Sequence, residues 1–205
     1  MDIIKDILLI DDKTFALFLL DQDFLSRKIK NKKEIIRKSM ECGFSFANKY
    51  KSYSIKDLLE RFNLKVVEDC GSENFSYYEL AFFEKPNQIH LCKNNIKKVE
   101  DKIISLGLNI NVEDIVLAHE IFHKIEQENK YVYTDSIYIE SFKLGPIKKK
   151  NKLKSSSEIG AMAFSKEFLS LSFNPVLIDY FLSLAFNKEN VFLKKINYYR
   201  SKNES

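Results

Sequence analysis

A chain of 205 residues, 45% hydrophobic, with 17 Phe but only five Gly and three Pro, can bury a core and is no disordered polymer. The formal net charge of +4 is a mild excess that a lysine-rich solvated surface explains, so it does not require nucleic acid. Cys42, Cys70 and Cys92 are odd in number and lack paired metal-ligand spacing, which fits a reducing compartment and ordinary thiols.

The first stretch, KDILLIDDKTFALFLLD, reads as two short strands about an Asp-Asp-Lys turn. Asp2, Asp11 and Asp12 interrupt its apolar patches and no basic segment precedes them. Neither a signal peptide nor a membrane span is expected, and a cytoplasmic protein is. Ile29, Ile36, Met40, Phe44 and Ala47 then recur at helical spacing, predicting one or two amphipathic helices between about Asp23 and Tyr50. The basic run from Arg27 to Lys38 reads as a solvated face and not as a nucleic-acid contact.

Ser54 has the position of an N-cap for a short helix, SIKDLLERFN. LKVVEDC, YYELAFFEK and PNQIHLCKN read as three strands of a small antiparallel sheet from about Leu64 to Cys92. IKKVEDKIISLG is a helix that stops near Gly107. Asn111 caps the next helix, with Glu113 and Asp114 in the first turn, where the helix dipole favours acids. YVYTDSIYIESFKLGP is irregular or strand-like, and KKKNKLKSSS a polar, basic linker. Helices follow from near Ser157, from Pro175 and over NVFLKKINYYR.

The Asn111 helix carries His119-Glu120-Ile121-Phe122-His123. Histidines four apart project from one helix face, as two imidazole ligands of a zinc ion must. Glu120, next to the first of them, is placed to act as general base on water at the metal and to return the proton to the leaving amine. Leu117, Ala118, Ile121, Phe122 and Ile125 surround the pair with apolar residues that hold it partly buried.

Catalytic zinc normally has three protein ligands. No histidine follows His123, and His90 on a predicted strand reads as a hydrogen-bonded or surface residue, so the third ligand is expected to be a downstream carboxylate. Asp135, Glu140, Glu158, Glu167 and Asp179 are the candidates. Glu158 stands out: it lies in the first turn of a predicted helix, and Gly160, Ala161 and Ala163 after it permit close approach to the histidine helix. Asp135 and Glu140 stay open as alternatives, because a loop can fold back. Tyr131, Tyr133 and Tyr138 are candidate oxyanion stabilisers, with packing as the simpler role for each.

AHEIFH followed by EIGAMAFSKEFL resembles the ImmA/IrrE metallopeptidases, whose pattern is an HExxH helix and then a helix of the form ExxAxxFAxxLL. Glu158, Ala161, Phe164, Phe168 and Leu169 hold the matching positions, with Ser165 for the usual Ala and Phe168 for the usual Leu. The resemblance spans about Phe46 to Leu171. Two positions depart from it. Met162 stands where the family often has Asn or Asp as a hydrogen-bond partner behind the metal. Phe122 replaces the usual Gly before the second histidine and is expected to narrow the cleft.

The expectation is therefore an α+β, zincin-like metallopeptidase domain over residues 46–205, its small antiparallel sheet packed against helices including the HExxH helix. Residues 1–45 would form an N-terminal hairpin and basic helix, an extension continuous with the same compact unit. His119, His123 and Glu158 would hold Zn2+, with Glu120 as base. The resemblance implies an intracellular endopeptidase with a narrow substrate range, typically one transcriptional repressor. The alternative is a zinc-binding interaction or sensor module with a weak catalytic site. Neither a membrane nor direct nucleic-acid binding is expected.

Overall fold

The computed structural model of the chain describes residues 3–68, 79–187 and 191–203. Cys70 and the start of the expected second strand lie outside them. The architecture is mixed α+β, dominated by helices with two small sheets.

The expected N-terminal hairpin is instead two helices, α1 (Ile3–Leu8) and α2 (Asp12–Gln22). Asp11 decides the second. Its carboxylate accepts the Thr14 N–H (3.0 Å) and the Thr14 hydroxyl (2.6 Å), a cap worth about 1 kcal/mol. Apolar residues then occupy both flanks of α2. Phe15 and Phe18 enter the main core, while Ala16 and Leu20 enter a second cluster with Leu25, Ile36, Leu153 and Ile159. A helix apolar on two sides has no single stripe, and over a short run its pattern cannot be told from a buried strand.

After a 3-10 turn (Phe24–Lys28), α3 (Lys32–Lys49) and α4 (Ile55–Arg61) follow. Ser54 and Asp57 close a reciprocal capping box on α4. Strands β1 (Lys65–Glu68), β2 (Ala81–Glu84) and β3 (Gln88–Leu91) form one sheet in the order β1-β3-β2. It is mixed, not antiparallel as expected. β2 and β3 make a local hairpin, whereas β1 pairs with the other edge of β3 and runs parallel to it. Strand periodicity says which face is buried, not which edge a strand joins. On β3, Ile89 and Leu91 are buried and alternate with half-buried partners.

Helix α5 (Lys93–Ser105) leads to the Asn111-capped α6 (Val112–Glu128). The expected lysine-rich linker is partly a strand. β5 (Ile147–Lys152) pairs antiparallel with β4 (Tyr138–Leu144) through a turn in which Gly145 has φ +57°. Most of this ribbon is exposed, so no polar–apolar alternation marks it in the sequence. α7 (Lys154–Phe168) starts three residues earlier than expected, which puts Glu158 in its second turn. α8 (Leu177–Ala185) and α9 (Val191–Asn203) complete the fold. Among the described residues no helix is long and apolar enough to cross a membrane.

Helices α3, α7 and α6 approach each other through glycine. A Cβ on Gly43 would lie 2.2 Å from the Gly160 carbonyl oxygen, and one on Gly160 would lie 2.9 Å from Phe122 Cζ. The first contact is with backbone and cannot be relieved by a rotamer change. Gly43→Ala is therefore expected to lower unfolding free energy by at least about 1–3 kcal/mol, the usual range for overpacking, read by urea denaturation. An unchanged midpoint would show that these helices slide apart freely.

Candidate metal centre

Helix α6 is pinned along its length. Asn111 accepts the Asp114 N–H at its start (2.9 Å), and Ile115, Ala118, Ile121, Phe122 and Ile125 are buried. Lys124 donates to the Pro86 carbonyl in the β2–β3 turn (3.0 Å) and pairs with Glu128 (2.8 Å). This anchoring leaves His119 and His123 half-buried, their rings 4.8 Å apart. Phe122 does not narrow a cleft as expected. It is fully buried against Phe46 and Phe164, with Gly160 making the room.

α7 brings Glu158 to the pair. His119 Nε2 is 3.1 Å from His123 Nε2 and 3.2 Å from Glu158 Oε2, and His123 Nε2 is 3.7 Å from Glu158 Oε1. Ligands about 2.0–2.1 Å from a tetrahedral zinc ion stand about 3.3–3.4 Å from one another. The two imidazoles and the Glu158 carboxylate thus stand at about the spacing of one face of such a tetrahedron, and the chain can hold a metal there with one position open.

The other candidates are engaged elsewhere or stand apart. Asp135 pairs with Lys152, and Glu140 lies 3.8 Å from Lys148. His90 pairs with Glu84 (2.8 Å) and stacks on Phe82. Glu167 and Asp179 do not join the ligand cluster. Tyr131 and Tyr138 are exposed, and Tyr133 lies beneath the Lys38 ammonium, so packing and surface roles account for all three.

Behind His123 stands a residue that the sequence reading missed. Glu126, 5% exposed, lies 3.1 Å from His123 Nδ1. Its carboxylate also accepts short hydrogen bonds from the Thr134 and Ser157 hydroxyls. With both hydroxyls donating to Glu126, the ring's Nδ1–H is the natural third donor, which turns the Nε2 lone pair toward Glu158. The signal was present: Glu126 is three residues beyond His123, on the same helix face. Met162 supplies no such partner. It lines the packing between α7 and Phe15, Met40 and Phe44. His119 Nδ1 is buried without a hydrogen-bond partner among the described residues. Glu126→Ala is expected to weaken zinc binding by about 10- to 100-fold in a chelator competition, the usual effect of losing such a partner; equal affinity would deny Glu126 any role at the metal.

Charge dominates the site. Burial pulls His123 down, but the hydrogen bond with Glu126 and the charges of Glu158, Glu120 and Glu126 outweigh it and hold the ring up at about 9. Burial raises Glu158, yet the hydrogen bond to His119 and the charges of His119, His123 and Lys154 hold it down at about 2. Asp179, on the first turn of α8, keeps contact with solvent but is crowded by protein. Desolvation pushes it up to about 6, with Glu158 adding to the rise and His119 opposing it.

These shifts have a sign in stability. His123 is raised from 6.5 to about 9, so its contribution is complete below 6.5 and is lost as pH rises through 9. Glu158 is lowered from 4.5 to about 2, so its contribution is complete above 4.5 and is lost as pH falls toward 2. A metal must displace the His123 proton. The melting temperature of chelator-treated protein is therefore expected to fall between pH 6.5 and 9, while the increment from added zinc grows over that interval. A zinc increment independent of pH would place the metal elsewhere.

No family model matches the chain, and searches of curated proteins and of solved structures return no match. What can be concluded about function comes from the site itself.

Proposed function

We propose that the protein is a zinc-dependent endopeptidase with a zincin-like site. The observation that carries this reading is the triangle of His119, His123 and Glu158 beside a fourth group, Glu120, that the ligand set does not need. A structural zinc site closes its fourth position with another protein ligand and has no use for a base. Zinc held here would supply Lewis acidity to the scissile carbonyl and a water acidified toward neutrality.

The chain's own residues do the rest. His119, His123 and Glu158 would hold the ion on two helices fixed to one core. Glu126, braced by Thr134 and Ser157, keeps the His123 ring in its tautomer and orientation. Glu120, 7% exposed and next to His119 on α6, is the group this reading assigns as base. It takes the proton of the attacking water and delivers it to the leaving amine, which restores the base.

The likeness of AHEIFH and the Glu158 helix to the ImmA/IrrE metallopeptidases supports an intracellular regulatory protease, with a transcriptional repressor as substrate. The test is to incubate the zinc-loaded protein with cytoplasmic extract and sequence the new protein N-termini. A small set of new termini supports the reading. None at all, with zinc bound, sinks it.

One observation favours a second reading, a zinc-binding interaction or sensor module. The buried, unpartnered Nδ1 of His119 leaves one ligand less firmly oriented than the other. That module would bind zinc and release no new termini.

A further inference from the structure

A groove of about 780 Å3 borders the candidate metal centre at Glu158. Glu158 is among its lining residues. One wall is β5 and the start of α7, with Lys150, Lys152 and Lys154; the other is the end of α2 and Phe24. Phe24 is 68% exposed, an aromatic ring presented to solvent on the groove wall.

The charges in this groove are unevenly committed. Lys152 pairs with Asp135. Asp23, the acidic group of the opposite wall, is turned onto backbone: it accepts from the Leu25 N–H (3.0 Å) and the Ser155 N–H (3.4 Å). Lys150 and Lys154 are exposed and form no ion pair among the described residues. β5 is also bonded to β4 alone, so its other edge carries backbone donors and acceptors that pair with no strand among the described residues.

We propose that this groove binds an extended, acidic segment of the protein substrate and leads it to the metal centre, an inference that rests on the peptidase reading. Carboxylates of the segment would meet Lys150 and Lys154, an apolar residue would cover Phe24, and the backbone would run along β5. A free strand edge matches the alternating donors and acceptors of a peptide and offers nothing comparable to a sugar-phosphate chain. A groove with a candidate metal ligand in its lining also suits a chain to be cut there. These features favour a peptide over nucleic acid as the occupant of the lysine-rich wall.

The experiment uses the zinc-loaded full chain and fluorescence anisotropy. The probes are a short fluorescein-labelled peptide rich in Glu with a central Leu, a Lys-rich peptide of the same length, and oligothymidylate. The Glu-rich peptide is expected to bind and the Lys-rich one not. Lys150→Glu with Lys154→Glu is expected to weaken binding by about tenfold or more, as reversal of two facing charges would. Lys143→Glu with Lys149→Glu makes the same change of net charge on the ribbon outside the groove, and is expected to weaken it less than about twofold.

Equal loss in the two double variants would overturn the proposal in favour of bulk charge. So would tighter binding of oligothymidylate that only the groove variant abolishes. Metal content is measured on the same samples. Bound zinc with no peptide binding removes the groove proposal and leaves the peptidase reading standing; failure to bind zinc removes both.

Discussion

Glu158→Ala is expected to empty the metal centre. Mass spectrometry of the purified wild-type protein should find about one zinc per chain, as a site with three protein ligands retains. In Glu158→Ala the zinc should be gone, with affinity in chelator competition reduced by more than about 100-fold, since even the loss of a partner behind a ligand costs about 10- to 100-fold. Glu140→Ala and Asp135→Ala should keep the metal, because both carboxylates pair with lysines of the β5 ribbon and neither reaches the histidines. The Glu158 side chain is 44% exposed, so its removal opens no cavity and the variant should stay folded. Zinc retained in Glu158→Ala and lost in Glu140→Ala would move the third ligand to the ribbon and break the triangle on which the function rests.

Glu120→Gln separates catalysis from metal binding. Glutamine keeps the volume of the buried side chain and removes only its capacity to take a proton. Release of new protein termini is expected to fall by at least about 10²- to 10⁴-fold, the range for a lost general base, with zinc content unchanged. Activity undiminished in Glu120→Gln would assign the base to another residue. If neither protein yields new termini while both hold zinc, the interaction or sensor module becomes the better account.

Some of this was plain in residue order because it depends on neighbours a few positions apart. Ser54 and Asp57 form their capping box within one turn, and Asn111 caps α6 in the same way. His119 and His123 share a face because the α-helix has 3.6 residues per turn, whatever surrounds it. Glu158 could be preferred among five carboxylates because Gly160 and Ala161 follow it, and a close helix approach needs such residues. The structure shows that approach, with Phe122 filling the room above Gly160.

What was misread depended on distant parts of the chain. The stretch around Asp11 became helices and not a hairpin because α2 is packed on both flanks, by the main core and by the smaller cluster that includes Leu153 and Ile159. The ribbon of Lys148 to Lys152 became a strand through its pairing with β4, although its own side chains carry no pattern. β1 became parallel to β3 by choosing an edge, a decision made between strands and not within one.

Local order thus supplied the helix caps, the spacing of the two imidazoles and the glutamate beside them, because hydrogen bonds and side-chain directions within one helix follow from residues a turn apart. Tertiary structure alone decided that Glu158 meets both Nε2 atoms, that Glu126 braces His123 with hydroxyls from residues 134 and 157, and that the basic ribbon borders a groove that Glu158 also lines. Those contacts join segments that are separate along the chain, and only the packing of α3, α6 and α7 about Gly43 and Gly160 sets their distances.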